Sequence, residues 1–85
     1  MKYTIIIKRE ALKELAQLPK PASVALTAAI ETLAENPRPQ GCKKLKGSKE
    51  NLWRVRVGNY RIIYLIDDVI RIVNVRTVGN RKDVY

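Results

Sequence analysis

Trp53-Arg54-Val55-Arg56-Val57-Gly58-Asn59-Tyr60-Arg61-Ile62-Ile63-Tyr64 is the stretch on which the fold turns. It alternates with period two, breaks at Gly58-Asn59 and resumes, which is the pattern of two antiparallel strands joined by a two-residue turn. That turn sets the register. Val57 pairs with Tyr60, Arg56 with Arg61, and Val55 with Ile62. Successive side chains point to opposite faces, so Arg54, Arg56 and Arg61 share one face while Trp53, Tyr60 and Tyr64 turn to the other as core. Arg56 and Arg61 then sit directly across from each other, an arrangement that costs up to ~1 kcal/mol per like-charged pair. An anion bridging the two guanidinium groups reverses the sign, and the planar fork of arginine suits phosphate. The plainer alternative is that one arginine splays outward or pairs with Asp67, Asp68 or Glu50.

Working outward, residues 3–8 are β-rich and read as a first strand. Ala11, Leu12, Leu15 and Ala16 then recur at helical spacing, and Leu18-Pro19-Lys20-Pro21 ends that helix. Pro21 suits the first turn of a second helix, with Ala22, Leu26, Ala29, Ile30 and Leu33 as its buried stripe and Asn36-Pro37 as its stop. Residues 38–49 form a basic loop with a short strand near Leu45. After the hairpin, Asp67-Asp68 turns the chain, residues 69–78 make a last strand, and an irregular tail follows. The expected fold is α+β over a single domain, residues 1–85: an N-terminal strand and an antiparallel helical hairpin packed on a twisted, mainly antiparallel β-sheet.

Composition narrows the function. Among 85 residues, 17 Lys and Arg face eight Asp and Glu, a net charge of +9, so a polyanion or an acidic partner is expected to offset the self-repulsion. A membrane role is weakest, because neither helix combines a basic face with large apolar anchors. There is one cysteine, Cys42, and no histidine. A disulfide framework and a zinc site are therefore not expected, and a serine or cysteine nucleophile would lack its usual base. The N-terminal apolar run is too short for a signal peptide, so the cytoplasm is the expected location.

These residues resemble the RelE/ParE superfamily of toxin–antitoxin modules. The resemblance runs from Lys8-Arg9-Glu10-Ala11-Leu12-Lys13-Glu14-Leu15 through Asn36-Pro37 and Lys44-Leu45-Lys46-Gly47 to the hairpin. It ends on Val78-Gly79-Asn80-Arg81-Lys82-Asp83-Val84-Tyr85. It implies metal-free cleavage of mRNA in the A site of the 70S ribosome, with no cofactor, and neutralisation by a cognate antitoxin. By that resemblance the catalytic positions are Arg54, Arg56, Arg61, Arg81 and Tyr85, and Lys43, Lys44, Lys46 and Lys82 contact RNA.

In such an enzyme the 2′-OH attacks the adjacent phosphate in line. The site must neutralise the phosphorane and protonate the leaving 5′-oxygen. Arg56 and Arg61 are read as the phosphate clamp, Arg81 as the group on the leaving oxygen, and Tyr85 as a stacking platform. The family's usual lysine is replaced by Arg54, which stays protonated. The general base is thus open among Lys46, Lys49 and Glu50. Two rivals stand beside this reading. One is a ParE-type toxin blocking DNA gyrase by protein contact, and the other is a non-catalytic basic RNA-binding module.

Overall fold

A computed structural model of the chain describes residues 2–47 and 49–80. The elements in chain order are β1 (Thr4–Ile7), α1 (Arg9–Gln17), α2 (Lys20–Thr32), β2 (Lys43–Lys44), β3 (Leu52–Val57), β4 (Tyr60–Asp67) and β5 (Ile72–Asn80). The strands form one five-stranded sheet in the order β1-β5-β4-β3-β2. β1 runs parallel to β5 and every other neighbour is antiparallel. The two helices cover one face, where Ala11 and Leu15 of α1 and Leu26 and Ile30 of α2 meet Val55, Ile62, Tyr64, Ile66, Val73, Val75 and Val78. The α+β architecture expected from the sequence is the one observed.

The hairpin takes the expected register: Val57 opposite Tyr60, Arg56 opposite Arg61, Val55 opposite Ile62. Gly58 has φ +60 and Asn59 does not enter the positive region. That combination marks a II′ turn, whose first central position demands glycine and whose twist matches the strands it joins.

Other boundaries move. The last strand begins at Ile72 rather than Val69, because Asp67 Oδ1 accepts the amides of Val69 and Ile70 at 3.0 and 3.2 Å and folds them into a turn. Arg71 completes that turn at φ 56. Val69 and Ile70 are consequently exposed, although their β-branched side chains read as strand. β5 also continues through Gly79 and Asn80, so the irregular tail expected from Gly79 onward starts later. The short strand near Leu45 is Lys43–Lys44. Leu12 and Ala16, expected in the core, are exposed, since the nine-residue α1 buries only the narrow stripe of Ala11 and Leu15.

At the end of the sheet far from the hairpin turn, a polar latch ties three segments together. Arg38 donates to Asp68 through both terminal nitrogens, at 3.2 and 2.8 Å, and the Tyr3 hydroxyl donates to Asp68 Oδ1 at 2.6 Å. The same guanidinium lies 4.9 Å from the Trp53 ring centroid, a cation–π distance. Hydrogen bonds from Arg38 and then Tyr3 pull the Asp68 carboxyl down to about 2. A depressed carboxyl contributes stability that is complete above its unfolded value and is lost as pH falls through the folded one. Thermal melts of wild type and Asp68→Asn should therefore differ at neutral pH, wild type melting higher, and converge between pH 4 and 2.

Candidate nucleic-acid interface

Directly paired residues in a sheet stand side by side on the same face, with Cβ atoms roughly 4.5–5.5 Å apart. In β3 the odd positions go inward, with Val55 buried and Trp53 and Val57 packed on the core. Arg54 and Arg56 therefore stand on the face the helices leave uncovered, opposite Ile63 and Arg61 of β4. β2 adds Lys43, which pairs with Arg54. Four cations, Lys43, Arg54, Arg56 and Arg61, thus share one face across three strands. Lys44 pairs with Trp53, which places it on the opposite face from the arginines, and Lys46 is exposed in the turn that follows. β2 alternates like any strand, so its two lysines start from opposite faces of the sheet.

The face has depth as well as charge. Gln40, Gly41, Lys43, Arg54, Val55 and Arg56 line a cavity of about 250 Å³ beside β3. β2 starts only at Lys43, and Gln40 and Gly41 of the preceding loop line the cavity with residues of β3. Arg54 is half-buried, and its Nη1 is buried without a hydrogen bond to any described residue. A buried donor left without an acceptor costs about 1–3 kcal/mol, so an arriving anion oxygen gains that much more there than at an exposed arginine. Ile63, on this same side, is only 6% exposed, so the basic residues stand over an apolar floor.

Asp67, Asp68 and Glu50 each bond a group outside the set of Arg54, Arg56 and Arg61. Asp68 holds Arg38 and Asp67 holds the turn amides. Glu50 accepts from Arg76 Nη2 at 2.6 Å. Arg76 is a residue the sequence reading passed over. It falls in a β-bulge, where the pairing jumps from Ile63 with Thr77 to Tyr64 with Val75. Simple alternation runs through Val73 and Val75 but resumes at Val78 rather than at Thr77, and that slip in parity is the signal of the bulge. Arg81, Lys82 and Tyr85 lie outside the described residues. β5 ends at Asn80, opposite Tyr60 beside the hairpin turn, and Arg81 is the next residue in the chain.

Behind the face, Tyr64 is fully buried and donates its hydroxyl to the Pro37 carbonyl at 2.8 Å. Burial, reinforced by the neighbouring Cys42, pushes its ionisation up, so it remains a neutral donor. Among the described residues no group of His, Cys, Asp and Glu is placed to hold a metal ion, and no helix is long and apolar enough to cross a membrane.

Comparison with known proteins adds four findings. Residues 5–85 match the family model described as the ParE toxin of the type II toxin–antitoxin system parDE. The chain is 38% identical, over its whole length and 97% of the relative's, to the protein named toxin RelE1 in Methanocaldococcus jannaschii. It is 32% identical to toxin RelE of Mycobacterium tuberculosis, covering 98% of this chain and 86% of that one. The crystal structure of the archaeal RelE–RelB complex from Pyrococcus horikoshii contains a chain of similar fold. The TM-score is 0.85 at 26% identity, covering 99% of this chain and all of that one.

Proposed function

The chain belongs to the ParE toxin family of type II toxin–antitoxin systems, and we propose that it is a RelE-like endoribonuclease that cuts mRNA in the ribosomal A site. The observation that carries this reading is the cross-strand juxtaposition of Arg56 and Arg61, flanked by Arg54 and Lys43 on an uncovered face. Like charges directly across a strand pair disfavour each other, and a phosphate between the two guanidinium groups turns the pair into a clamp.

Arg56 and Arg61 take the non-bridging oxygens of the scissile phosphate and neutralise the charge that grows on them as the 2′-oxygen attacks. The O2′–P bond forms as the P–O5′ bond breaks, and solvent water takes the 2′-OH proton and supplies one to the 5′-oxygen, leaving a 2′,3′-cyclic phosphate and a 5′-hydroxyl. Arg81 is assigned to the leaving oxygen and Tyr85 to stacking on a base, which holds the backbone in line. Arg54 stays cationic and is a binding group here rather than a base. Positioning and electrostatics carry the chemistry, with the ribosome completing the geometry.

The partner proposed is a cognate antitoxin whose acidic or amphipathic segment lies along the basic face or the helical hairpin, as the RelE–RelB complexes suggest by analogy. The ParE name of the matching family favours one rival, a toxin that acts on DNA gyrase by protein contact. Purified protein added to a translating bacterial lysate separates the two. Codon-phased mRNA ends in primer extension are expected. Intact mRNA, with gyrase-dependent DNA breaks in a parallel assay, would overturn the nuclease reading.

Lys43 and Lys44 provide an internal control on which face meets RNA. On single strands each neutralised phosphate contributes about 0.7 to the slope of log K against log salt. Lys43→Ala should reduce that slope by about one such contact, and Lys44→Ala should leave it unchanged, in fluorescence anisotropy with a short RNA across a KCl series. Equal losses from both would mean that RNA does not discriminate the two faces.

A further inference from the structure

We infer that Glu14 is a positioning residue, locking the β5 bulge in the register that places Gly79, rather than Val78, beside Arg61; the inference rests on the arginine face being the nuclease site. β1 accompanies β5 only along residues 72–75, where its run ends with the Lys8 amide donating to the Val75 carbonyl at 2.9 Å. The chain then enters α1, and past that point no described strand flanks β5 on this side. The Glu14 carboxylate takes the vacant place. Its Oε1 accepts the Val78 amide at 3.0 Å, and the Thr77 hydroxyl donates to the carboxylate with its oxygens at 2.7 and 2.9 Å.

Thr77 and Val78 are the two residues whose places depend on the bulge. In the observed register Thr77 lies opposite Ile63, Val78 opposite Ile62 and Gly79 opposite Arg61. Closing the bulge would slide the strand by one residue, and a one-residue slip exchanges the faces. Thr77 would then enter the core opposite Ile62, and the branched Val78 would stand against Arg61. Gly79, the natural occupant, carries no side chain at all. Glu14 binds the side chain of one of these residues and the backbone of the next, so both bonds break together if the register slips. Burial of Val78, at 1% exposure, favours the same register through packing. Loss of Glu14 therefore loosens the strand beside Arg61 without unfolding the domain.

Two readouts on the intact chain test the lock. In ¹⁵N NMR, Glu14→Ala should speed hydrogen exchange at the Val78 amide and move or broaden the Arg61 side-chain Nε–Hε resonance. In single-turnover RNA cleavage it should lower the rate roughly tenfold to a hundredfold, as misplacement of a reacting geometry does, with RNA affinity unchanged. Glu14→Gln keeps an acceptor for the amide and the hydroxyl and should restore both readouts; Thr77→Val, which removes one of the two donors, should fall between. Wild-type behaviour of Val78 and Arg61 in Glu14→Ala, or an equal disturbance in Glu14→Gln, would overturn the inference. Absence of cleavage by the wild-type protein would instead sink the nuclease reading, and the NMR arm would still decide the lock.

Discussion

Arg61→Ala is expected to lower mRNA cleavage by about 10²–10³-fold, the loss seen when a single donor to a developing oxyanion is removed, while leaving the fold intact. Stability should change little, because Arg61 stands on the sheet face that the helices leave uncovered and outside the apolar core. The melting temperature should accordingly stay within a few degrees of wild type in a chain of this size. Rate and stability therefore move independently, which separates loss of chemistry from loss of protein. RNA affinity should fall much less than rate, since the clamp is worth most once charge has grown on the phosphate. The measurement is primer extension on a translating lysate beside a thermal melt of the same preparation. Cleavage by the variant at the wild-type rate would remove Arg61 from the site. A gyrase-directed toxin, by contrast, should tolerate the loss of a guanidinium on the sheet face.

What the sequence made legible was the local part of the problem. Gly58-Asn59 sets the hairpin register by itself, and with it the shared face of Arg54, Arg56 and Arg61, because both follow from a two-residue turn and period-two alternation. What stayed hidden depends on partners distant in the chain. Glu14 meets Thr77 and Val78 across more than sixty positions, and nothing in its own helix marks it out. Arg76 was masked because a single inserted residue reverses the parity of everything after it. Val69 and Ile70 misled for the opposite reason: their β propensity is genuine, but Asp67 captures their amides first. Lys43 and Lys44 looked equivalent as a basic pair, and only the pairing of β2 with β3 sends them to opposite faces.

The two ends of the sheet are built on opposite electrostatic terms. At the hairpin end Arg56 and Arg61 stand directly across from each other; at the far end, Arg38, Asp68 and Tyr3 form an ion-paired cluster that binds the loop before β2 to the β4–β5 turn. Since Gln40 and Gly41 belong to that same loop and Lys43 directly follows it, whatever anchors it also sets the wall of the cavity beside Arg54.

Tyr64 is the anchor, and its substitution should have the largest effect on stability. It heads the fully buried side chains in size, and truncating a buried aromatic residue to alanine costs about 3–5 kcal/mol. Against a total stability of roughly 5–15 kcal/mol for natural domains, Tyr64→Ala should remove a fifth or more and lower the melting temperature by about 12–40 °C. Tyr64→Phe isolates the hydroxyl. It keeps the ring in place but leaves the Pro37 carbonyl without its donor, a loss of about 1–2 kcal/mol. Because Pro37 begins the segment that carries Arg38 to Asp68 and Lys43 to Arg54, the phenylalanine variant should also bind RNA more weakly. Its cleavage rate at saturating RNA should be preserved, since Arg56 and Arg61 are placed by the hairpin and not by the loop. Chemical denaturation and anisotropy on one sample check both halves. A phenylalanine variant as stable and as tightly binding as wild type would show that the loop is held by Arg38 and Asp68 alone.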